Sequence, residues 1–239
     1  MKLLNIDKDL LLKPLQMVAG IVERRHTLPI LSNVFLKANN NDLEVIATDL
    51  EIQIATNTPL EKSYKSETLT ISARKTLDIL RALPDNTKIS LEASENRATL
   101  KSGKSKFHLQ TLPSGDFPLI AAKDNAHLDT VIIEQKVLKN MLQKVQFSMA
   151  QQDIRYYLNG LLLVLDGDTM RLIATDGHRL SHSATKLETS VGNRETILPR
   201  KTVLELLKLL DSDQSTVKLE ITDTQITVRF GNVTLVSKL

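Results

Sequence analysis

The sequence contains no cysteine and no tryptophan, and its remaining aromatics, five Phe and three Tyr, make up only 3% of 239 residues. Without cysteine there can be no disulfide, thiolate zinc centre, iron–sulfur cluster or cysteine nucleophile. So few aromatics leave Leu, Ile and Val to build any core, within a composition (41% hydrophobic, 25% charged) typical of globular chains. Long apolar runs are missing as well. Met1-Lys2-Leu3-Leu4 begins like a signal peptide, but Asp7, Lys8 and Asp9 interrupt it before an apolar stretch forms. The longest later run, Leu161 to Leu165, is far too short to cross a bilayer. A soluble, cytoplasmic chain with no membrane partner is expected. Neither G-x-G-x-x-G nor G-x-x-x-x-G-K-[ST] occurs, so no cofactor is expected. A strong excess of one charge is also lacking: 31 Lys and Arg face 28 Asp and Glu, giving a net charge of +3 and a pI near 9.0. That balance permits nucleic-acid binding, and only the placement of charge can decide it.

What the chain does have is self-similarity. Ile46-Ala47-Thr48-Asp49 returns as Ile173-Ala174-Thr175-Asp176, 127 residues later, and Arg74-Lys75-Thr76 returns as Arg200-Lys201-Thr202, 126 later. Leu12-Lys13 matches Leu138-Lys139 at the same spacing, and Leu80, Leu83 and Asp85 answer Leu206, Leu209 and Asp211. Three blocks in one order at nearly constant spacing mean duplication. The copies divide as 1–126, with a Pro-, Gly- and Asp-rich linker over 113–126, and 127–239. Leu239 corresponds to Leu112, so a third copy is expected beyond it, absent from this chain.

Each copy opens on a helical pattern: Leu10, Leu11, Leu15, Val18 and Val22, then Val137, Leu138, Met141, Leu142 and Val145. Pro14 should distort the first helix unless it lies in the opening turn. Strand-like runs follow over 28–37, 43–47 and 52–56. A second helix starts near Ser72 in one copy, with serine as N-cap, and near Pro199 in the other, with proline as first helical residue. Three alternating strands close each copy. The fold class is α+β: two tandem domains, each with two helices packed on antiparallel sheets.

Several enzyme-like strings need weighing. Ser72-Ala73-Arg74-Lys75 fits the S-x-x-K of penicillin-recognising acyl-transfer enzymes, and Lys101-Ser102-Gly103 resembles their K-T-G. The S-D-N element is missing, Leu198 replaces Ser72 in the second copy, and an N-cap explains the serine. His178 and His182 have the i, i+4 spacing of two metal ligands on a helix, yet they follow a Thr-Asp-Gly turn and no H-E-x-x-H is formed; no metal is expected. Asp49 and Asp176 read as turn-closing aspartates, with no nucleophile beside them. The sequence therefore offers no catalytic residue.

Arg74-Lys75 and Arg200-Lys201 both fall in the first turn of a helix, where a cation costs roughly 0.3–1 kcal/mol against the dipole. Breaking one local rule twice at equivalent positions points to function, and a cationic helix start suits phosphate. Solvated surface charges are the plain alternative. Arg24-Arg25 adds a basic point after the first helix. Gln152, Arg155, Tyr156 and Tyr157 bring amide, cation and flat rings together, suited to backbone contact and stacking; alternatively, one Tyr lies in the core and one at the rim.

At Phe147 to Gly160, Ala174 to Leu180 and Pro199-Arg200-Lys201, the second copy resembles the middle domain of the bacterial DNA polymerase III beta subunit family, the sliding clamps. Leu28-Pro29-Ile30-Leu31 and Ser72-Ala73-Arg74-Lys75 are similar to the first domain. The resemblance implies a non-catalytic ring of two subunits closed head to tail, helices lining a central hole and sheets forming the wall. Such a ring tethers a DNA polymerase to duplex DNA without reading sequence. It implies DNA-facing roles for Arg25, Arg74, Gln152, Tyr156, Tyr157, Arg200 and Lys201. It implies a pocket for clamp-binding peptides of polymerase, clamp loader and repair proteins at Arg155, Leu158, Thr175, Gly177, His178, Arg179 and Leu180. The ring interface falls on Lys75, Lys104, Lys106, Phe107 and Leu109. Lacking the third copy, this chain is expected to be a monomer; a full-length chain would form the homodimeric ring. A repeat-built peptide-binding module unrelated to DNA is the remaining alternative.

Overall fold

The computed structural model describes residues 2–23, 28–94, 96–121, 128–211 and 213–239. The chain divides into two compact units, residues 1–121 with 232–234 and residues 122–231 with 235–239. Unit 1 runs β1 (Lys2–Asp7), α1 (Asp9–Val18), β2 (Asn33–Thr48), β3 (Ile52–Ser72), α2 (Ala73–Ala82), β4 (Lys88–Ser94), β5 (Arg97–Ser102) and β6 (Ser105–Gln110). Unit 2 repeats that order as β7 (Asp129–Glu134), α3 (Gln135–Val145), β8 (Gly160–Thr175), β9 (Leu180–Pro199), α4 (Arg200–Leu209), β10 (Thr216–Ile221), β11 (Gln225–Phe230) and β12 (Val233–Lys238). In unit 1 the strands form a sheet in the order β1-β4-β5-β6 plus the hairpin β2–β3; in unit 2, the order β7-β10-β11-β12 plus the hairpin β8–β9. No helix among the described residues is long and apolar enough to cross a membrane.

The repeat extends to the backbone register. Phe35 pairs with Thr70 and Leu162 with Ile197; Ile46 pairs with Ala55 and Ile173 with His182, every partner shifted by 127. The register slips at Ala38/Asn40 in one hairpin and at the corresponding Leu165/Gly167 in the other, where Asn40 and Gly167 both hold positive φ. The repeated Thr-Asp closes both hairpins in the same way. Asp49 Oδ1 accepts from the amides of Glu51 and Ile52 at 2.9 and 2.7 Å, and Asp176 Oδ1 accepts from those of His178 and Arg179 at 3.0 Å. The next residue must take positive φ, 81° at Leu50 and 88° at Gly177. Leucine there is strained by about 1 kcal/mol, and glycine is not.

Three expectations change. Both units open on a strand rather than a helix: β1 ends one residue before α1 and β7 runs directly into α3, so the helical periodicity hides both strands. The runs over 28–37 and 43–47 become a short 3-10 turn, Pro29–Ser32, followed by a single 16-residue strand. Cross-strand pairing carries that strand through the polar Asn39-Asn40-Asn41, where sequence alone suggests a break. Pro14 sits well inside α1, yet the helix continues through it, with the Leu10 carbonyl losing its amide donor. Burial of Leu11, Pro14, Leu15 and Val18 along one face supplies the compensation, at roughly 2 kcal/mol per large apolar side chain.

The second helices start by different means. Ser72 caps α2, its Oγ accepting from the Lys75 amide at 3.5 Å, so the serine of the S-x-x-K string is occupied as a cap. In α4, Pro199 stands at the N-cap itself, outside the first helical position, and offers no side-chain acceptor. The Arg200 amide is instead met by the Asn159 carbonyl at 3.1 Å, a contact from another element.

The stretch over 113–121 is no free linker. Leu112 exchanges two hydrogen bonds with the Thr70 hydroxyl, and Ile120 exchanges two with the Gln53 amide. Phe117 lies between them, its ring 5.5 Å from that of Phe35, and is buried with Ile46. Residues 122–126 of the expected linker lie outside the described residues.

Arg194 of β9 braces unit 2, donating to Asp129 of β7 and, at 2.9 Å, to Asp223 beyond β10. Arg194 and Asp129 are largely buried. Removing the guanidinium would leave Asp129 without its counter-charge, so Arg194→Ala is expected to destabilise unit 2 by about 2 kcal/mol. Thermal denaturation beside an Arg194→Lys control checks this; an unchanged midpoint would refute it.

Candidate functional site

Charge is sorted by element. The four helices hold ten Lys and Arg but only three Asp and Glu, against 31 and 28 in the whole chain. Since the chain's net charge is only +3, the helices are cationic and the remainder is on balance acidic. In unit 1, Arg74 and Lys75 are exposed on α2, and Arg74 has only a loose 4.0 Å approach to Asp78. In unit 2, Arg200 and Lys201 are partly exposed in the first turn of α4, and one Arg200 nitrogen donates to the Met149 carbonyl at 3.1 Å. The single acid of α4, Glu205, is buried and paired with Lys208. Arg25 lies outside the described residues.

Unit 2 also gathers most of the remaining sequence candidates into one cluster. The loop after α3 meets the β8–β9 turn through Ser148 and Ser181, whose hydroxyls are 2.7 Å apart. The Arg179 guanidinium donates to the Phe147 carbonyl at 2.6 Å, lies over the Phe147 ring and pairs with Asp176 at 3.0 Å. Arg155 lies over Gly177: a Cβ at that glycine would stand 3.3 Å from Nη2 of Arg155. Gly177 is thus required twice, by its φ of +88° and by the approach of the guanidinium. Thr175 ties the turn, its hydroxyl donating to the Arg179 carbonyl at 2.7 Å. Leu158 is buried beneath the loop, whereas Leu180 is 65% exposed and His178 projects on the open turn. The histidine pair belongs to a turn and a strand, so the helical face needed for i, i+4 metal ligation does not exist.

Gln152 is exposed with φ 56°. Tyr156 and Tyr157 are both exposed, at 82% and 51%, with ring centroids 5.9 Å apart edge to face. The alternative that one ring enters the core is overturned: the 3-10 turn Tyr156–Leu158 turns Leu158 inward instead.

Sequence reasoning missed Asp153, Asn159 and Ile154. Asn159 exchanges hydrogen bonds with the Asp153 main chain at 2.9 and 2.8 Å, closing the loop. Asp153 receives the Arg155 guanidinium at 2.9 and 3.0 Å and the Arg155 amide at 2.8 Å. Ile154, between them, is 98% exposed. The D-x-R spacing in a loop was the available signal. These Arg155 bonds hold the Asp153 carboxyl down at about 2. A depressed carboxylate adds stability above its ordinary pKa near 4 and loses it only as pH falls through about 2. Carboxyl-carbon NMR should therefore find Asp153 still ionised at pH 3; titration near 4 would mean that the pair does not form.

Among the described residues, the β6 candidates lie on a strand paired on one side only, by β5. Lys104 and Lys106 are exposed and Phe107 is partly so. Leu109 departs from expectation: at 3% exposure its side chain belongs to the core, opposite Ala98, leaving only its main chain at the edge. Lys75 and Gln110 line one groove in this unit.

Comparison with known proteins follows the same lines. Residues 1–121 match the family described as DNA polymerase III beta subunit, N-terminal domain, and residues 132–239 match its central domain. A beta sliding clamp from Vibrio cholerae is 42% identical over 98% of this chain and 64% of its own length. The crystal structure of DNA polymerase III subunit beta from Pseudomonas aeruginosa superposes with a TM-score of 0.94 at 40% identity, covering 100% of this chain and 64% of that one. A second structure from that organism, a DnaN sliding clamp bound to griselimycin, gives 0.93 at 39% identity over 98% of this chain and 63% of that one. The chain thus spans less than two thirds of the length of these relatives.

Proposed function

This chain belongs to the DNA polymerase III beta subunit family, and from that premise we propose that it is the DNA-tethering part of a sliding clamp. The whole protein is a non-catalytic cytoplasmic ring that encircles duplex DNA and holds the replicative polymerase on it. The observation that carries this reading is the segregation of charge: a chain with little net charge carries its positive excess on its helices, including the first turns of α2 and α4. Cations of this kind attract phosphate without reading bases, and a tether must slide. Arg25, Arg74, Gln152, Tyr156, Tyr157, Arg200 and Lys201 face the DNA. The cluster at Arg155, Leu158, Thr175, Gly177, His178, Arg179 and Leu180 receives short peptides from polymerase, clamp loader and repair proteins. An exposed apolar rim beside guanidiniums already neutralised by Asp153 and Asp176 suits that task. Griselimycin bound to the Pseudomonas aeruginosa relative supports a ligand-accepting surface in the family. The exposed lysines and unpaired edge of β6 suit a ring contact with an acidic strand of another subunit.

The test is topological. A full-length ring loaded on circular duplex should survive salt that strips ordinary phosphate binders, and should fall off when the circle is cut. Loss at the same salt from circular and linear DNA would reject encirclement. The 239-residue chain alone is expected to sediment as a monomer.

A further inference from the structure

The second helices of the two units share a buried face but present different outer ones. Thr76, Leu77 and Leu80 of α2 are buried, and so are Thr202, Val203 and Leu206 of α4, each 126 residues further on. At that offset the outer residues Arg74, Asp78 and Arg81 of α2 become Arg200, Leu204 and Leu207 of α4. Steps of four and three residues keep each trio on one side of its helix. In unit 1 that side is charged and exposed, with Asp78 approaching Arg74. In unit 2 two leucines replace an aspartate and an arginine, and both stay partly exposed. They lie in a groove completed by Gln146, Arg200, Lys201 and Lys208. Its acid, Glu205, is buried and already meets Lys208 at 2.7 Å. Folding does not call for these leucines, since the equivalent helix of unit 1 is served by charged residues there.

We propose that this groove docks an acidic segment of a partner protein, which sets two apolar side chains on Leu204 and Leu207 and carboxylates against Arg200, Lys201 and Lys208. Charge complementarity selects that occupant. An apolar floor with a cationic rim is matched by apolar side chains flanked by acids, which bury area at the centre and fix orientation at the edge. A phosphate backbone would engage the cations but set charge against the leucines. An uncharged apolar segment would leave the rim unmatched. The groove shares no residue with the cluster around Gly177. It does share Arg200 and Lys201 with the proposed DNA surface, so the acidic segment and duplex DNA exclude one another there.

The probe is a fluorescein-labelled synthetic peptide, Glu-Asp-Leu-Asp-Glu-Leu-Glu-Asp, titrated into the chain at low salt. Anisotropy reads its affinity and methyl NMR its position. The methyls of Leu204 and Leu207 are expected to shift. Affinity is expected to fall roughly tenfold when both peptide leucines become serine, the effect of uncovering a large apolar side chain. Leu204→Ser with Leu207→Ser should weaken the original peptide equally, and leaves every cation of the rim in place. Leu204→Met with Leu207→Met, still apolar, should keep the affinity, which separates a lost floor from a damaged fold. Equal binding of the serine peptide would mean that charge alone acts, and overturns the proposal. A parallel loss of duplex DNA affinity in the serine pair also overturns it, because the leucines would then belong to the DNA surface. So does self-association of the free chain that the serine pair abolishes, the occupant then being a second copy. The peptide titration contains no DNA, so its failure would leave the tethering reading standing.

Discussion

Replacing Arg74, Arg200 and Lys201 together by alanine is expected to weaken binding to duplex DNA by on the order of a thousandfold at 50 mM salt, and to lower the salt slope by about three. Each phosphate contact contributes close to one unit to the slope of log K against log salt, so each lost contact costs about tenfold at that concentration. Arg74 should report most cleanly, being exposed and held only by the 4.0 Å approach of Asp78. Arg200 also donates to the Met149 carbonyl, so Arg200→Lys separates the loss of charge from the loss of that contact. Salt titrations by fluorescence anisotropy on duplexes of two unrelated sequences measure both quantities. An unchanged slope would mean that the helix starts do not touch phosphate. A loss confined to one sequence would contradict a sliding surface.

Gly160→Ala is expected to destabilise unit 2 by about 3 kcal/mol, the largest stability effect that a single added methyl should have here. Its Cβ would stand 2.6 Å from Ile197 Cγ2 and 2.7 Å from the Leu198 carbonyl oxygen. The oxygen is main chain within a paired strand, so the clash is relieved only by moving β9. The effect should reach the candidate site from both directions. Asn159, the preceding residue, closes the Asp153 loop and receives the Arg200 amide, while Pro199, the strand partner of Gly160, leads into α4. Denaturant unfolding together with amide shifts of Asp153 and Arg200 tests this. A midpoint shift without movement at those two amides would mean that the glycine serves the strand alone.

Much of the site was legible because its signals are local. A Thr-Asp pair ending an apolar run makes the same turn wherever it occurs, since the carboxylate captures amides two and three residues on. Serine before a helical period caps it, and cations in a first turn stand out against the dipole. The unread parts depended on partners far along the chain. Asp153 looks like any loop aspartate until Asn159 and Arg155 fold back on it, and Leu109 looks like an edge residue until β5 turns its side chain inward. The strands β1 and β7 abut a strong helical period, which hides their alternation.

Duplication, the two helix starts and the hairpin turns were fixed by residues within a few positions of one another, where backbone geometry leaves few choices. Tertiary structure decided which faces those elements bury, that one strand runs unbroken through three asparagines, and that residues over 113–121 lie strapped over one hairpin while its twin keeps its aliphatics partly in water. Those outcomes turn on which distant segment covers an apolar surface, and burial is a property of the assembled chain that no short window of sequence contains.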